Sequence, residues 1–241
     1  TIPDSVTSIW SSAFRGCSSL TEITIPDRVT SIGDSAFYSC TSLTEITIPD
    51  SVTNIEGFVF TDTPWLTAKQ EENPLVILNG TLIDGTTCTG SVTIPDGVTS
   101  IAGGAFDSCT GLTAIAIPKS VTSIGDSAFY RCTSLTEITI PDSVTSMGDY
   151  VFDGCTGLTK ITIPDSITSI SDYAFRSCTG LTEVTIPDSV TSIGDYAFRD
   201  STGLTKIVIP DSVTSIGDSA FDNCDNLIIY GHTGSFAETY A

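Results

Sequence analysis

One block of residues recurs along almost the whole chain, and its period constrains the fold more than any other feature. The segment from Ile25 to Thr47 is one copy of 23 residues, and an Ile-Pro pair marks the same phase in the other copies. A repeat of this length contains one supersecondary unit, which buries its apolar side only by stacking on neighbouring units. The period therefore predicts a solenoid.

Alternating β-branched residues within each copy predict a short strand. Ile46 and Ile48 would face the core while Glu45 and Thr47 face solvent, which is a period-two pattern. Stacking would pair these strands in parallel. Pro49 has no amide hydrogen and would end the strand, after which extended residues return the chain.

The other side of each coil contains an apolar pair preceded by a capping residue. In Gly33–Phe37, Asp34 precedes Ala36 and Phe37, and this order predicts one helical or 3₁₀ turn. Equivalent phenylalanines recur once per coil, and we expect them to stack as one internal column. They are Phe14, Phe37, Phe60, Phe106, Phe129, Phe152, Phe175, Phe198 and Phe221.

Residues 61–91 are the only non-repetitive part of the repeat region. Thr63 and Pro64 predict the start of a helix that ends before Asn73, and Asn79-Gly80 between apolar runs predicts a hairpin. Despite the irregularity, we expect the apolar phase to continue, with Leu78 at the Ile position and Leu82 at the Ala position.

We predict a single domain over residues 1–241, with about ten coils. Asn226–Gly231 would interrupt the strand pattern, and residues 227–241 would form the C-terminal cap, with Ser235–Tyr240 as a short helix. Because the sequence begins inside a repeat, we expect it to be a fragment of a larger protein.

The charge is strongly negative, with 29 acidic against 9 basic residues and a net charge of −20. Such a chain repels the phosphate backbone, so we expect no nucleic-acid partner and no attraction to anionic membranes. No run approaches the roughly 18 apolar residues of a membrane helix, so we expect no membrane insertion.

The pattern Leu43-x-x-Ile46-x-Ile48, followed by Ile-Pro, Ser-Val-Thr-Ser-Ile, Ala-Phe and Cys, resembles the BspA-like subclass of leucine-rich repeats. The resemblance implies a leucine-rich-repeat solenoid of the α/β horseshoe class, rich in β structure. It also implies a secreted or cell-surface protein with an adhesive role. Ser51 stands where the common repeat has asparagine, so we expect serine hydroxyls to satisfy that turn.

Three groups of exposed residues are candidate binding residues. The outward strand positions read Glu137, Lys160, Glu183 and Lys206, and this alternation predicts ion pairs between neighbouring strands. The outer arc carries Tyr150, Tyr173 and Tyr196 in consecutive coils, and the irregular coil carries Trp65 and Lys69. Each group also has a purely structural interpretation: register for the charges, and packing for the aromatic residues.

The sequence predicts no catalytic, metal or cofactor site. Seven of the eight cysteines share one column, where we expect buried free thiols because side chains in one column point in parallel. Two columns of aspartates favour turn and cap roles over calcium binding, since no calcium-loop motif frames them. The lone histidine, His232, lies near the C-terminus, and no nucleophile motif accompanies it.

Three functional hypotheses remain open. The first is a non-catalytic adhesion module that binds a protein or glycan on a host or neighbouring cell, in an unknown oligomeric state. The second is a structural spacer in a surface or polysaccharide-degrading assembly. The third is binding of ice or mineral by regular Thr-Ser rows such as Thr122-Ser123.

Overall fold

The computed structural model describes residues 1–240, which form a solenoid of about ten coils with two short helices. The elements are β1 Ser8–Ile9, β2 Glu22–Thr24, β3 Ser31–Ile32, β4 Glu45–Thr47, β5 Asn54–Ile55, α1 Pro64–Glu72, β6 Val76–Leu78, β7 Thr81–Asp84, β8 Gly90–Thr93, β9 Ser100–Ile101, β10 Leu112–Ala116, β11 Ser123–Ile124, β12 Glu137–Thr139, β13 Ser146–Met147, β14 Lys160–Thr162, β15 Ser169–Ile170, β16 Glu183–Thr185, β17 Ser192–Ile193, β18 Lys206–Val208, β19 Ser215–Ile216, β20 Ile228–Tyr230 and α2 Phe236–Tyr240.

Strands from successive coils pair in parallel, as the sequence predicts. Equivalent residues lie opposite each other, so that Ile138 of β12 faces Ile115 of β10. The segment expected to return the chain in extended form contributes a second row of two-residue strands, in which Ile124 of β11 pairs with Ile101 of β9. Each coil therefore has two strand faces, and the hairpin of β6 and β7 supplies the antiparallel pair.

The outer arc is a series of tight turns rather than the expected helical or 3₁₀ turn. Every second amide donates a hydrogen bond within its own coil; the Tyr38 amide, for example, donates to the Ser35 carbonyl at 3.1 Å. The amides between them donate to carbonyls of the next coil; the Phe37 amide, for example, donates to the Val59 carbonyl at 2.9 Å. Ser35 and Ser39 adopt left-handed backbone angles, with φ of 56° at both. This alternation satisfies the backbone and links the coils along the arc.

Phenylalanine rings stack through the interior at centroid distances of 5.1–5.6 Å, in two columns rather than the single column expected. Phe14, Phe37 and Phe60 form the first column, and the rings from Phe106 to Phe221 form the second. Gly85 interrupts them, since a Cβ at this residue would lie 2.3 Å from the Phe106 ring. The apolar core divides into two clusters at the same coil.

The irregular coil contains the predicted helix and hairpin. Thr63 caps α1 by accepting a hydrogen bond from the Leu66 amide at 3.1 Å, and the chain reverses through Asn79 and Gly80. The predicted phase is wrong, because Leu82 and not Leu78 pairs with Ile101. The inserted helix and hairpin move the strand that pairs with β9 further along the sequence, so that Leu82 takes the position predicted for Leu78. The segment from Leu82 to Ile101 is shorter than one repeat, and the regular 23-residue period resumes from Ile101.

The C-terminal segment differs from the prediction in one respect. The residues expected to interrupt the strand pattern form β20, which pairs in parallel with β18. Helix α2 lies in the predicted place, and Ala237 is buried against the last coil. Residue 241 of the predicted cap lies outside the described residues. Within residues 1–240, no helix has the length and apolar character needed to cross a membrane.

Serine and cysteine side chains bind main-chain oxygens of neighbouring coils. Ser51 Oγ donates to the Val29 carbonyl at 2.8 Å, which confirms the role expected where asparagine is missing. Every cysteine is a free thiol, and all except Cys17 are buried. Cys155 Sγ donates to the Phe129 carbonyl at 3.0 Å, and Ser201 makes the equivalent bond to Phe175 at 2.7 Å.

Candidate binding surface

Three tyrosines of consecutive coils form a ladder on the outer arc. The rings of Tyr150 and Tyr173 lie 4.4 Å apart with planes 8° from parallel, and those of Tyr173 and Tyr196 lie 4.9 Å apart at 16°. All three residues are half-buried. We call these residues the tyrosine ladder.

The backbone beneath this ladder does not favour tyrosine. Tyr150, Tyr173 and Tyr196 have φ values of 57°, 57° and 55°, in the left-handed region. A residue with a Cβ costs roughly 1–2 kcal/mol there relative to the right-handed region. The equivalent positions on either side hold the smaller residues Ser127 and Ser219, also at positive φ. Ring stacking offsets part of the strain, at about 0.5–1.5 kcal/mol per pair.

Arginines border the tyrosine ladder. The Arg176 guanidinium carbon lies 5.1 Å from the Tyr173 ring centroid, and that of Arg199 lies 5.4 Å from Tyr196. Arg176 also forms a forked ion pair with buried Asp153, from Nε at 3.1 Å and Nη2 at 2.6 Å. Burial raises the pKa of the Asp153 carboxyl, and the Arg176 hydrogen bonds oppose that rise. The arginine is therefore held firmly beside the rings.

The strand row has only part of the predicted charge pairing. Lys160 Nζ lies 3.3 Å from Glu183 Oε2, but both side chains are exposed, so the pair contributes only about 0–1 kcal/mol. Lys206 Nζ lies 4.9 Å from the Tyr230 ring centroid. Glu137 is opposite Ala114, which carries no charge.

An apolar patch that the repeat pattern does not predict lies at the end of this row. Val208, Ile228 and Tyr230 are exposed on adjacent strands β18 and β20. Ile228 and Tyr230 face outward because the segment expected to interrupt the strand pattern forms β20. The alternation of Ile228, Ile229 and Tyr230 is the sequence pattern that could have predicted this patch.

The irregular coil places its two candidate residues differently. Trp65 has only 7% of its surface exposed, and its ring packs 4.6 Å from Phe60. This removes Trp65 from any contact surface, because the predicted helix turns its indole inward to close the first phenylalanine column. Lys69 lies on the exposed side and pairs with Glu72 at 2.8 Å.

A cleft lies between α1 and the outer turns on either side of the irregular coil. Its volume is about 250 Å³, and its lining includes Phe58, Leu66 and Ile83 together with Asp62, Asp84 and Asp107. Asp84 accepts hydrogen bonds from Gln70 Nε2 at 2.8 Å and from the Thr86 amide at 3.2 Å. No motif or repeat column in the sequence marks Asp84 as functional.

The aspartates before the Ala-Phe turn connect coils rather than cap a helix. Asp149 Oδ1 accepts the Asp172 amide at 3.2 Å, and Asp126 Oδ1 accepts the Asp149 amide at 3.0 Å. Burial and the two neighbouring carboxylates raise the pKa of Asp149.

Across residues 1–240, no group of three or more acidic, histidine or cysteine residues has a metal-binding arrangement. His232 Nδ1 lies 2.9 Å from exposed Asp211.

Comparison with known families agrees with this architecture. A model described as the BspA type leucine-rich repeat region matches residues 1–113, 76–178 and 99–228, with six copies of the repeat. These matches span most of the chain. The protein belongs to the BspA-type leucine-rich-repeat family.

Solved structures of other leucine-rich-repeat proteins are similar to this BspA-type chain. One from Eubacterium ventriosum is 25% identical, with a TM-score of 0.50, and the match covers 90% of this chain and 80% of the other. A leucine-rich cell-surface protein from Faecalibacterium prausnitzii is 29% identical, with coverage of 100% and 80% and a TM-score of 0.41. A T. pallidum leucine-rich-repeat protein is 24% identical, with coverage of 92% and 72% and a TM-score of 0.41. No curated protein matches the sequence.

Family membership accounts for the regular part of this BspA-type solenoid. The matched model describes a repeat and therefore the strands, turns and core columns that every coil shares. The tyrosine ladder, the apolar strand patch and the cleft are departures of individual coils from that common unit.

Proposed function

We propose that this chain is a non-catalytic binding module of a cell-surface or secreted protein, and that it holds its ligand on the outer arc at the tyrosine ladder. The observation that supports this most is the strained backbone beneath three large aromatic residues. Smaller residues meet the same backbone requirement in adjacent coils, so the fold alone does not call for tyrosine here.

The composition of the surface is consistent with a protein-binding role. Tyrosine and arginine are enriched at the centres of protein interfaces, and here Arg176 and Arg199 lie beside stacked tyrosines. Rings that stack on one another lose little conformational freedom when a partner covers them. The ladder therefore offers pre-ordered aromatic area.

Stacking also favours a protein ligand over a glycan. Sugars bind aromatic side chains by lying against an open ring face, whereas the faces between Tyr150, Tyr173 and Tyr196 are covered by neighbouring rings. Ring edges and phenolic groups remain for contact with a protein surface, where hydrogen bonds and apolar contacts combine.

The test is a triple substitution, Tyr150→Ser, Tyr173→Ser and Tyr196→Ser, which introduces the residue already present at Ser127 and Ser219. The folded chain and this variant would be screened against immobilised extracellular-matrix proteins and a glycan array at high avidity. We expect protein binding by the parent and its loss in the variant. Tyr38→Ser with Tyr130→Ser is the matched control, because these tyrosines lie in another outer column.

Two results would count against the proposal. One is the absence of binding to any protein target at high avidity, and the other is binding that the triple variant retains in full. If the triple variant kept binding to glycans only, the glycan-binding site would lie on another surface of the chain.

A structural spacer is the second candidate. It is supported by the inter-coil bonds, since serine, threonine and aspartate side chains in several columns bind the neighbouring coil. Replacement by an unrelated solenoid of equal length, with full retention of function in the parent protein, would favour this role. The threonine rows have the same inter-coil pattern, as in Thr122 Oγ1 to the Thr99 carbonyl at 3.2 Å, so we do not propose ice binding.

A further inference from the structure

Asp84 is a buried carboxyl without a charged partner. Only 7% of its surface is exposed, and it lines the cleft beside α1. Its hydrogen-bond donors are the neutral groups of Gln70 and Thr86. No ion pair to Asp84 occurs among residues 1–240, and the nearest lysine along α1, Lys69, is engaged by Glu72.

The same molecule shows how a buried outer-arc carboxyl is otherwise neutralised. Asp153 is also almost fully buried, and the fork of Arg176 binds both of its oxygens. Buried charges require such compensation because transfer from water is costly. Asp84 has comparable burial but lacks the guanidinium.

The cleft has room and surroundings suited to a cation with an aliphatic stem. A volume of about 250 Å³ accommodates one long side chain. Phe58, Leu66 and Ile83 supply apolar walls, while Asp62 and Asp107 add negative charge. Arginine and lysine combine these properties, since their stems pack on apolar surface and their charged ends seek carboxylates.

We infer that this cleft binds the side chain of an arginine or lysine presented by a partner protein, with Asp84 as the buried counter-charge. Gln70 and Thr86 orient the carboxyl, and Asp62 and Asp107 attract the incoming cation. Burial raises the pKa of Asp84 in the free protein, and a bound cation would oppose that rise by favouring the ionised form. The inference adds a contact to the proposed protein-binding role but does not involve the tyrosine ladder.

The experiment measures binding of a defined probe to the whole chain by amide chemical shifts. The probe is a capped pentapeptide with one central arginine among alanines, and its control contains citrulline, which has nearly the same shape and no charge. We expect the arginine peptide to shift the signals of Gln70, Asp84 and Thr86, and the citrulline peptide to leave them unchanged.

Asp84→Asn is the decisive variant, because asparagine keeps an acceptor for Gln70 and Thr86 and removes the charge. We expect affinity for the arginine peptide to fall about tenfold. Asp165→Asn is the matched control, since it removes an exposed carboxyl in a different coil and should leave affinity unchanged. If Asp84→Asn does not fold, Thr67→Trp serves instead, because it fills the cleft from α1 without altering the carboxyl.

Several outcomes would overturn the inference. They are equal binding of the citrulline peptide, equal losses in Asp84→Asn and Asp165→Asn, and the absence of shifts at the cleft. Tighter binding of Ca²⁺ alone, or of free agmatine, at the same amides would instead identify a metal or small-amine site. None of these results depends on the screen against matrix proteins, so failure here and failure of the proposed function are distinguishable.

Discussion

Truncation of Phe152 tests the internal stacking on which the fold depends. The Phe152 side chain is 0% exposed, and its ring lies 5.4 Å from Phe129 and 5.5 Å from Phe175. Phe152→Ala should lower the free energy of unfolding by about 3–5 kcal/mol, because it removes a buried ring and leaves a cavity. Phe152→Leu keeps most of the volume and should cost about 1–3 kcal/mol, from the loss of two ring pairs.

Phe14→Ala provides the comparison within the same chain. Phe14 is half-buried and stacks on one ring, Phe37, at 5.1 Å. Its truncation should cost less than about 2 kcal/mol, since much of the ring is already in contact with water. Thr156→Ala, at an exposed position of the same coil as Phe152, should change the stability little.

Urea unfolding followed by circular dichroism measures these differences, provided that the denaturant slope stays constant among the variants. The internal column would be refuted if Phe152→Ala cost below about 1 kcal/mol, or no more than Phe14→Ala. A large effect of Phe152→Leu, equal to that of alanine, would show that ring stacking rather than volume dominates.

Three further predictions concern charge and thiol chemistry. Asp149→Asn keeps an acceptor for the Asp172 amide and removes repulsion, so it should stabilise the fold by about 0.2–1 kcal/mol at neutral pH in thermal unfolding. Because folding raises the pKa of Asp149, its carboxylate destabilises the fold fully at pH values above that pKa, and the effect disappears as the pH falls below the unfolded-state pKa. The stability advantage of Asp149→Asn should therefore vanish over the same pH range. An advantage that grew in acid would contradict this reasoning. Arg176→Ala leaves buried Asp153 unpaired and should cost about 3–5 kcal/mol, whereas the double variant with Asp153→Ala should recover part of the loss; additive costs in the cycle would exclude coupling. At pH 8, an aromatic disulfide reagent should rapidly label only exposed Cys17 in the native protein, and Cys17→Ser should abolish the fast phase; fast labelling of a second thiol would show an opening that the buried column does not predict.

The raised pKa values of the buried cysteines support the same labelling prediction. Burial raises the pKa of Cys88 and Cys109 to about 11, so both remain protonated and unreactive at neutral pH. Ionisation of Cys132 would raise the pKa of Cys109 further, because two thiolates in adjacent coils repel each other.

Features that every coil shares were predictable from one copy of the repeat. The spacing of Ile46 and Ile48 predicted a strand, and the constant period predicted that equivalent residues would lie opposite each other, as Ile23 and Ile46 do. The role of Ser51 followed from the missing asparagine. In each case, one local pattern and one stacking rule were enough.

The outer turns were less predictable, because their conformation depends on the neighbouring coil. Ser35 and Ser39 adopt left-handed angles without glycine, and nothing within the coil requires this. The reason lies between coils, where the amides of Ser35 and Ser39 bond to the carbonyls of Gly57 and Thr61, each at 2.9 Å. A helical turn would have directed those amides within the coil instead.

Single coils with unique residues were the hardest to interpret. Nothing in the period assigns Trp65 a neighbour, so the pattern predicts a candidate contact residue, yet its ring closes the column at Phe60. The phase at Leu82 depended on how many residues the hairpin absorbs. Arg176 and Asp153 are one period apart in the same outer column, so stacking alone places their side chains close enough to form the ion pair.

The candidate sites lie where a coil departs from its neighbours, and a physical reason connects the two. A residue repeated in every coil is constrained by stacking, since it must fit the same residue above and below. Tyr173 occupies a left-handed position that nearby coils fill with serine, and Asp84 is a buried carboxyl without the guanidinium that Arg176 provides for Asp153. Both features are local, and neither is explained by the common unit. The two positions are therefore where the sequence of a single coil, and not the shared repeat, determines what the surface presents.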